Sequence, residues 1–394
     1  MKILSISTRS DELEFYLFEM DNSTIVTKGT FSRISLEDSY YTISFNSEKI
    51  TEHIIVKNYD DVVNILLDKL NVLNIISSSF DIKGIGFRVV HGGSKYTESV
   101  FINDKVIQDV NDLSEFAPLY NDSISMAMRS FKKILPDTPM VAVFDTAFNQ
   151  TIAEENYLYP VPLDWYEKYG IRKYGFYGTS HKYVTQKVSE LLDRDNFKLI
   201  SCHLGNGGSV SAIENMKVVD TSMGFTPLSG IMMGTRSGDI DPSIIPYIMK
   251  KEGLNVGEVL DELNNNSGVY GLSQYSGDMR EILEECDKGN VKTIMAKNKF
   301  VRSVADYIGK YYVLLGGVDV IVFTAGIGEN SVQIRREICE KLACFGVKID
   351  LDLNNNCGEI VKISTNKSKV QVYVIPTEEE LMVALYTEKL IKNR

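Results

Sequence analysis

A chain of 394 residues that is 44% hydrophobic and 24% charged has a globular composition and the length of two ordinary domains. Its net charge of −11 argues against a nucleic-acid partner, and no apolar run is long enough to span a bilayer, so no membrane partner is expected. Cys202, Cys286, Cys339, Cys344 and Cys357 are odd in number and lack metal spacing, so they read as reduced thiols of a cytoplasmic chain.

Residues 2–8 are apolar and β-prone, and too short for a signal peptide. Leu13–Met20 alternates, with Leu13, Phe15 and Leu17 on one face and Glu14, Tyr16 and Phe18 on the other. Strand-like runs at 24–26, 41–45 and 50–56 continue an antiparallel opening joined by polar turns. The stripe Val62, Val63, Ile65, Leu66 and Leu70 predicts a helix over 60–70. A strand at 85–90 runs into His91-Gly92-Gly93, residues 123–134 suit a helix, and a strand at 139–144 ends in Asp145.

The second half opens the same way, with a strand at 198–202, a glycine turn over 203–209, and strands at 210–213 and 217–220. The glycines of that turn leave backbone N–H groups clear, which suits a phosphate and equally a tight hairpin with no ligand. Helices are expected at 242–251, 256–263 and 289–315. A final strand at 318–323 enters the glycine loop 324–330, and Ser331 reads as the N-cap of a helix. Such a junction offers a helix N-terminus to an anion or nucleotide. Residues 378–390 have a helical pattern. Two strand–hairpin–strand units, each followed by helices and parallel strands, predict a duplicated α/β architecture with a ligand cleft between the halves.

Eight segments carry the chemistry: Arg88–Gly93, Val143–Phe148, Tyr174–His181, the glycine turn, Asp220–Leu228, Met233–Pro242, Asp278–Arg280 and Phe323–Ser331. In this order they resemble the acetokinase family of the actin, sugar-kinase and Hsp70 superfamily, over about residues 84–385. The resemblance implies a two-domain, duplicated ribonuclease-H-like α/β fold of the actin/sugar-kinase/Hsp70 type with an interdomain cleft. It places an N-terminal domain at 1–147, with the helix of about 380–394 packing back on it, and a nucleotide-binding and dimerisation domain at 148–379. It also implies reversible phosphoryl transfer between ATP and a short carboxylate, acetate foremost. ATP/ADP would be co-substrate, Mg2+ (or Mn2+) the metal, and the assembly a homodimer.

Phosphoryl transfer is mostly positioning plus neutralisation of the equatorial oxygens, a task suited to forked, permanently charged arginines. Arg88 and Arg236 match the family's two active-site arginines, and Asp145 its essential aspartate. Glu379 matches the magnesium-linked glutamate, although Glu378-Glu379-Glu380 would also suit a solvated helix start, and Glu378 stands where the family usually has Asn. Val90, Leu119, Phe176 and Pro227 match the small apolar pocket for the substrate methyl. Nucleotide contacts are implied for His203, Leu204, Gly205, Asn206 and Gly207, for Asp278, Met279 and Arg280, and for Gly326, Ile327, Gly328, Glu329 and Asn330.

The departures from the family pattern cluster in the active site. The first hairpin, N-A-G-S-S-S-L-K in the family, is Ser7-Thr-Arg-Ser-Asp-Glu-Leu-Glu14 here. Ser7 replaces the metal-linked Asn, Arg9 the glycine, and Glu14 the lysine that meets the nucleotide. A carboxylate about 5 Å from a phosphate charge, at an effective dielectric of roughly 20, costs on the order of 3 kcal/mol. Tyr177 stands at a catalytic histidine position, and Tyr120 and Asn149 replace two further histidines. A tyrosine hydroxyl offers a neutral hydrogen bond where imidazolium offers charge. Two readings follow: a carboxylate kinase with an altered phosphate half, or a catalytically impaired homologue that binds a ligand or a partner.

Overall fold

The structure, a computed structural model, describes residues 1–355 and 359–394, except the side chains of Pro118 and Leu119. It divides into two compact units, Met1–Phe148 with Glu378–Arg394, and Asn149–Thr377.

The sheet of unit 1 is built from β1 (Lys2–Arg9), β2 (Glu12–Glu19), β3 (Thr24–Ser32), β4 (Tyr40–Phe45), β5 (Glu48–His53), β6 (Ile82–Val89), β7 (Val100–Phe101) and β8 (Met140–Phe144). Among the described residues its order is β5-β4-β3-β2-β1-β6-β8-β7, with β1, β6 and β8 parallel. Alternation puts Leu13, Phe15, Leu17, Ile85 and Phe87 into a core shared with Val62, Val63 and Leu66 of helix Tyr59–Val72 and Phe131 of helix Pro118–Ile134.

Helix Glu379–Lys392 packs on β1, β6 and β8. Two periods meet there. Positions 84, 86 and 88 recur every second residue along β6, and positions 379, 383, 387 and 391 every fourth along the helix. A Cβ at Gly84 would collide with Ile391, and one at Gly86 with Thr387 and Val383. The two glycines let the helix lie close on the strand, and the next residue of each stripe, Arg88 and Glu379, meet at its end.

Unit 2 has β9 (Lys198–Leu204), β10 (Gly208–Glu214), β11 (Lys217–Thr221), β12 (Val320–Thr324), β13 (Val361–Lys362) and β14 (Gln371–Val374), in the order β11-β10-β9-β12-β14-β13 among the described residues. As in unit 1, an antiparallel hairpin continues into parallel strands, here β9, β12 and β14.

The structure corrects several expectations. β9 continues through Leu204, which pairs with Gly208, so the glycine turn shrinks from 203–209 to Gly205-Asn206-Gly207. β12 is not the final strand, because β13 and β14 follow as runs too short for alternation to reveal. Residues 325–330 form a helical turn, Ala325–Asn330, where the glycines suggest a loop. The Glu329 carboxylate caps this turn from inside, accepting the Ala325 N–H at 2.6 Å. Ser331 then caps helix Val332–Lys341 as expected, its Oγ accepting the Ile334 N–H. Cys202, Cys286, Cys339 and Cys344 are free, and Cys357 lies outside the described residues. Among the described residues no helix is long and apolar enough to cross a membrane.

Candidate functional site

Unit 1 brings Arg88, Asp145 and Glu379 together. Asp145 follows β8, its N–H bonded to the Val89 carbonyl, which sets it beside the end of β6. The Arg88 guanidinium donates through Nε (3.0 Å) and Nη2 (2.7 Å) to Asp145 Oδ2, and through Nη2 to Glu379 Oε1 (2.9 Å). Burial works against the charge on Arg88, but the two carboxylates outweigh it and hold its pKa well above the ordinary value.

One guanidinium cannot neutralise two carboxylates. Burial drives Glu379 up to about 8 against the pull of Arg88, and Asp145, Glu380 and Glu14 push the same way. Glu14 stands opposite Ser7 in the β1–β2 register and accepts from the Tyr16 hydroxyl at 2.9 Å. Glu14 therefore adds negative charge to a region already rich in it. Val90 is half-buried just beyond β6, and Leu119 lies in helix Pro118–Ile134 with its side chain outside the described residues.

Among the described residues no cluster of three or more His, Cys, Asp or Glu side chains forms a metal cage. Magnesium does not need one, since it binds through one or two carboxylates, retained waters and substrate phosphates. Glu379, crowded by Glu380 and Glu14, has the donor chemistry that a divalent cation would relieve, so the residues present fit the ion.

In unit 2, Tyr177 precedes helix Gly178–Leu192 in the left-handed region, φ 60°, a strained backbone for a bulky residue. Its ring stacks on His203 with centroids 4.1 Å apart. A Cβ at Gly207 would collide with the Tyr177 hydroxyl and stand 3.3 Å from Arg236 Nη2, so only glycine fits between these groups. Arg236 Nη1 donates to the Pro227 carbonyl at 2.9 Å, which joins two expected site residues. Phe176 is buried. Gly205 and Asn206 of the same turn line a cavity of about 780 Å³ with Asp278, Arg280, Gly326 and Asn330.

Not every expected nucleotide residue presents its side chain to that cavity. Leu204 is buried in the core, whereas Met279, though buried for most of its surface, lines the cavity, as Asp278 and Ile327 do. Asp278 caps helix Met279–Asp287 and pairs with Arg280. Glu329 turns inward to the Ala325 and Thr377 N–H groups. Asn149 is fully buried beside Gly175, and neither of its amide atoms has a hydrogen-bond partner among the described residues.

Sequence reasoning missed the polar layer beneath the turn. Period-two alternation along β9 and β10 sets Ser201 and His203 opposite Ser211 and Ser209. His181 bonds Ser201 at 2.9 Å and Ser209 at 3.0 Å, and Ser211 bonds Thr221 at 2.8 Å. Burial lowers His181 to about 3, so it is neutral. Hydroxyls alternating inside otherwise apolar strands were the available signal. Arg335 was missed as well. It is fully buried and donates to the Gly328 (3.0 Å) and Glu329 (2.6 Å) carbonyls and to Asn354 Oδ1 (2.8 Å), pinning the end of the 325–330 turn. Nothing local in the sequence marks it.

The sequence pattern described as the acetokinase family matches residues 2–385. The chain is 50% identical to an acetate kinase of Bacillus subtilis over 393 residues, 99% of this chain and 100% of the relative. It is 51% identical to an acetate kinase of Bacillus cytotoxicus over 385 residues, 97% of each. Among solved structures it is similar to Porphyromonas gingivalis acetate kinase (TM-score 0.95, 37% identity, 99% of both chains). It is also similar to a Francisella tularensis propionate kinase (TM-score 0.93, 38% identity, 98% of this chain and 99% of the other).

Proposed function

This chain belongs to the acetokinase family, and from that premise we propose that it transfers the terminal phosphoryl group of ATP to a short carboxylate, acetate foremost, and runs the reverse reaction from the acyl phosphate. The observation that carries this reading is the convergence of the Arg236 guanidinium and the Tyr177 hydroxyl on Gly207, in a turn whose other residues line a cavity of nucleotide size.

A carboxylate oxygen attacks the γ-phosphorus, the bond to the bridging oxygen breaks, and ADP leaves. Arg88 binds the carboxylate, oriented by Asp145. The family match assigns the methyl to Val90, Leu119, Phe176 and Pro227. Arg236 neutralises the equatorial oxygens, and Tyr177 adds a neutral hydrogen bond. The backbone of 203–207, 278–280 and 326–330 holds the nucleotide. Magnesium, when bound, neutralises phosphate charge. Glu379 would hold it, and the family match adds Ser7.

The protein acts as a homodimer in this reading. Support comes from Ile244, Tyr247, Val256, Leu260 and Tyr270, large apolar side chains exposed on helices of unit 2.

The test is a substrate panel: acetate, propionate and butyrate against ATP, GTP and pyrophosphate, with acyl phosphate trapped as hydroxamate. Acetate or propionate with ATP should give the largest kcat/KM. Thermal stabilisation by ATP and acetate without acyl phosphate from any pair would overturn the kinase reading and leave a ligand-binding protein.

A further inference from the structure

We propose that Ser180 and Thr377 form an ordered hydroxyl relay that fixes His203 in the tautomer carrying its proton on Nε2, on the Gly205 side of the ring. This deepens the reading of 203–207 as the turn that takes the nucleotide phosphates and rests on it.

Thr377 Oγ1 donates to Ser180 Oγ at 2.8 Å. Ser180 Oγ lies 2.8 Å from His203 Nδ1. The Ser180 oxygen accepts from Thr377, and with its own proton directed at Nδ1 the chain of donors runs one way, which leaves Nδ1 the unprotonated nitrogen. A neutral imidazole carries one N–H, so that proton sits on Nε2. Nε2 is the atom 3.9 Å from where a Cβ at Gly205 would stand.

Each member of the relay is held in place. The Thr377 N–H donates to Glu329 Oε1 at 3.0 Å, and the same oxygen takes the Ala325 N–H. Ser180 is fully buried in the first turn of its helix, and His203 is 5% exposed. The Tyr177 stack fixes the plane of the His203 ring. Protonating Nδ1 would require the Ser180 proton to turn away and find another acceptor. The relay also couples the 203–207 turn to the 325–330 turn, since Thr377 is anchored on Glu329. Ser180 and Thr377 are thus positioning residues that act through His203.

The experiment uses the full-length protein with 15N-labelled histidine. The chain has four histidines, His53, His91, His181 and His203, so a His203→Gln variant assigns the ring. In the wild type above the imidazole pKa, Nδ1 should give the unprotonated, pyridine-like signal and Nε2 the protonated, pyrrole-like one. Ser180→Ala and the near-isosteric Thr377→Val should mix the two tautomers, whereas Thr377→Ser should keep the wild-type pattern. Saturating ADP should shift the Nε2 signal. In turnover, Thr377→Val should lower kcat about tenfold with the acetate KM unchanged, the scale of one lost hydrogen bond, and Thr377→Ser should restore it.

A protonated Nδ1 in the wild type, or a tautomer that ignores both Ser180→Ala and Thr377→Val, overturns the proposal. A protein that turns over nothing overturns the kinase reading instead, and the nitrogen spectrum still decides the relay.

Discussion

On the helix face of the unit 1 sheet, a single guanidinium, Arg88, serves Asp145 and Glu379, while Glu14 and Glu380 add negative charge beside them. On the matching strands of unit 2 lie neutral hydroxyls, Ser201, Ser209, Ser211 and Thr221, and against them His181 of helix Gly178–Leu192, joined donor to acceptor. The same hairpin-plus-parallel-strand arrangement therefore presents two kinds of polar site. In the charged one Glu379 is held up by burial and its carboxylate neighbours, so it responds to pH and to any cation that arrives. The neutral one is satisfied, and what it stores is the direction of its protons. Phosphoryl transfer needs both, a place where charge is adjustable and a place where donors are already aimed.

The largest break in this contrast should come from Glu14→Lys, which puts a cation into the charged unit. By the family match position 14 meets the nucleotide, so isothermal titration should show ATP binding tightened by about a hundredfold at low salt, and less at high salt. Unchanged affinity at every ionic strength would mean that position 14 has no part in nucleotide binding.

A smaller effect, of opposite sign in the two units, should appear in the pH dependence of stability. Glu379 has its folded pKa raised from 4.5 to about 8. The folded state then holds the extra proton between those values, and this group's contribution is lost as pH rises through that window. His181 has its folded pKa lowered from 6.5 to about 3. There the unfolded state holds the extra proton, and stability is lost as pH falls from 6.5 toward 3. Denaturant unfolding across pH should therefore show Glu379→Gln flattening the decline between about pH 4.5 and 8, and His181→Gln the loss below pH 6.5. Parallel profiles for wild type and both variants would contradict the assignments.

What could be read from the sequence follows the same division. Arg88, Asp145 and Glu379 were named through the family's motifs, and the periodic elements β6, β8 and the last helix account for how three such charges reach one place. Arg236 and Tyr177 were legible through the same motifs, with no periodic element to account for their place. The loop that carries Arg236 has no period, and its path is set by contacts such as the Pro227 carbonyl. The relay was not legible, because Ser180 and Thr377 lie 197 positions apart and a lone hydroxyl in a helix or loop has no pattern. The 325–330 turn was misread because its glycines suggest a loop, while the cap that makes it helical is a side chain inside the turn itself.

The central claim is that Arg88 in the charged unit and Arg236 in the neutral one serve one phosphoryl transfer. It is tested most directly in the reverse direction, by measuring ATP formed from acetyl phosphate and Mg-ADP with the wild type, Arg88→Ala and Arg236→Ala. The account predicts acetyl-phosphate-dependent ATP from the wild type and a loss of about a thousandfold or more in each variant, with both variants folded. Wild-type protein that makes no ATP, or either arginine variant working at the wild-type rate, would contradict it.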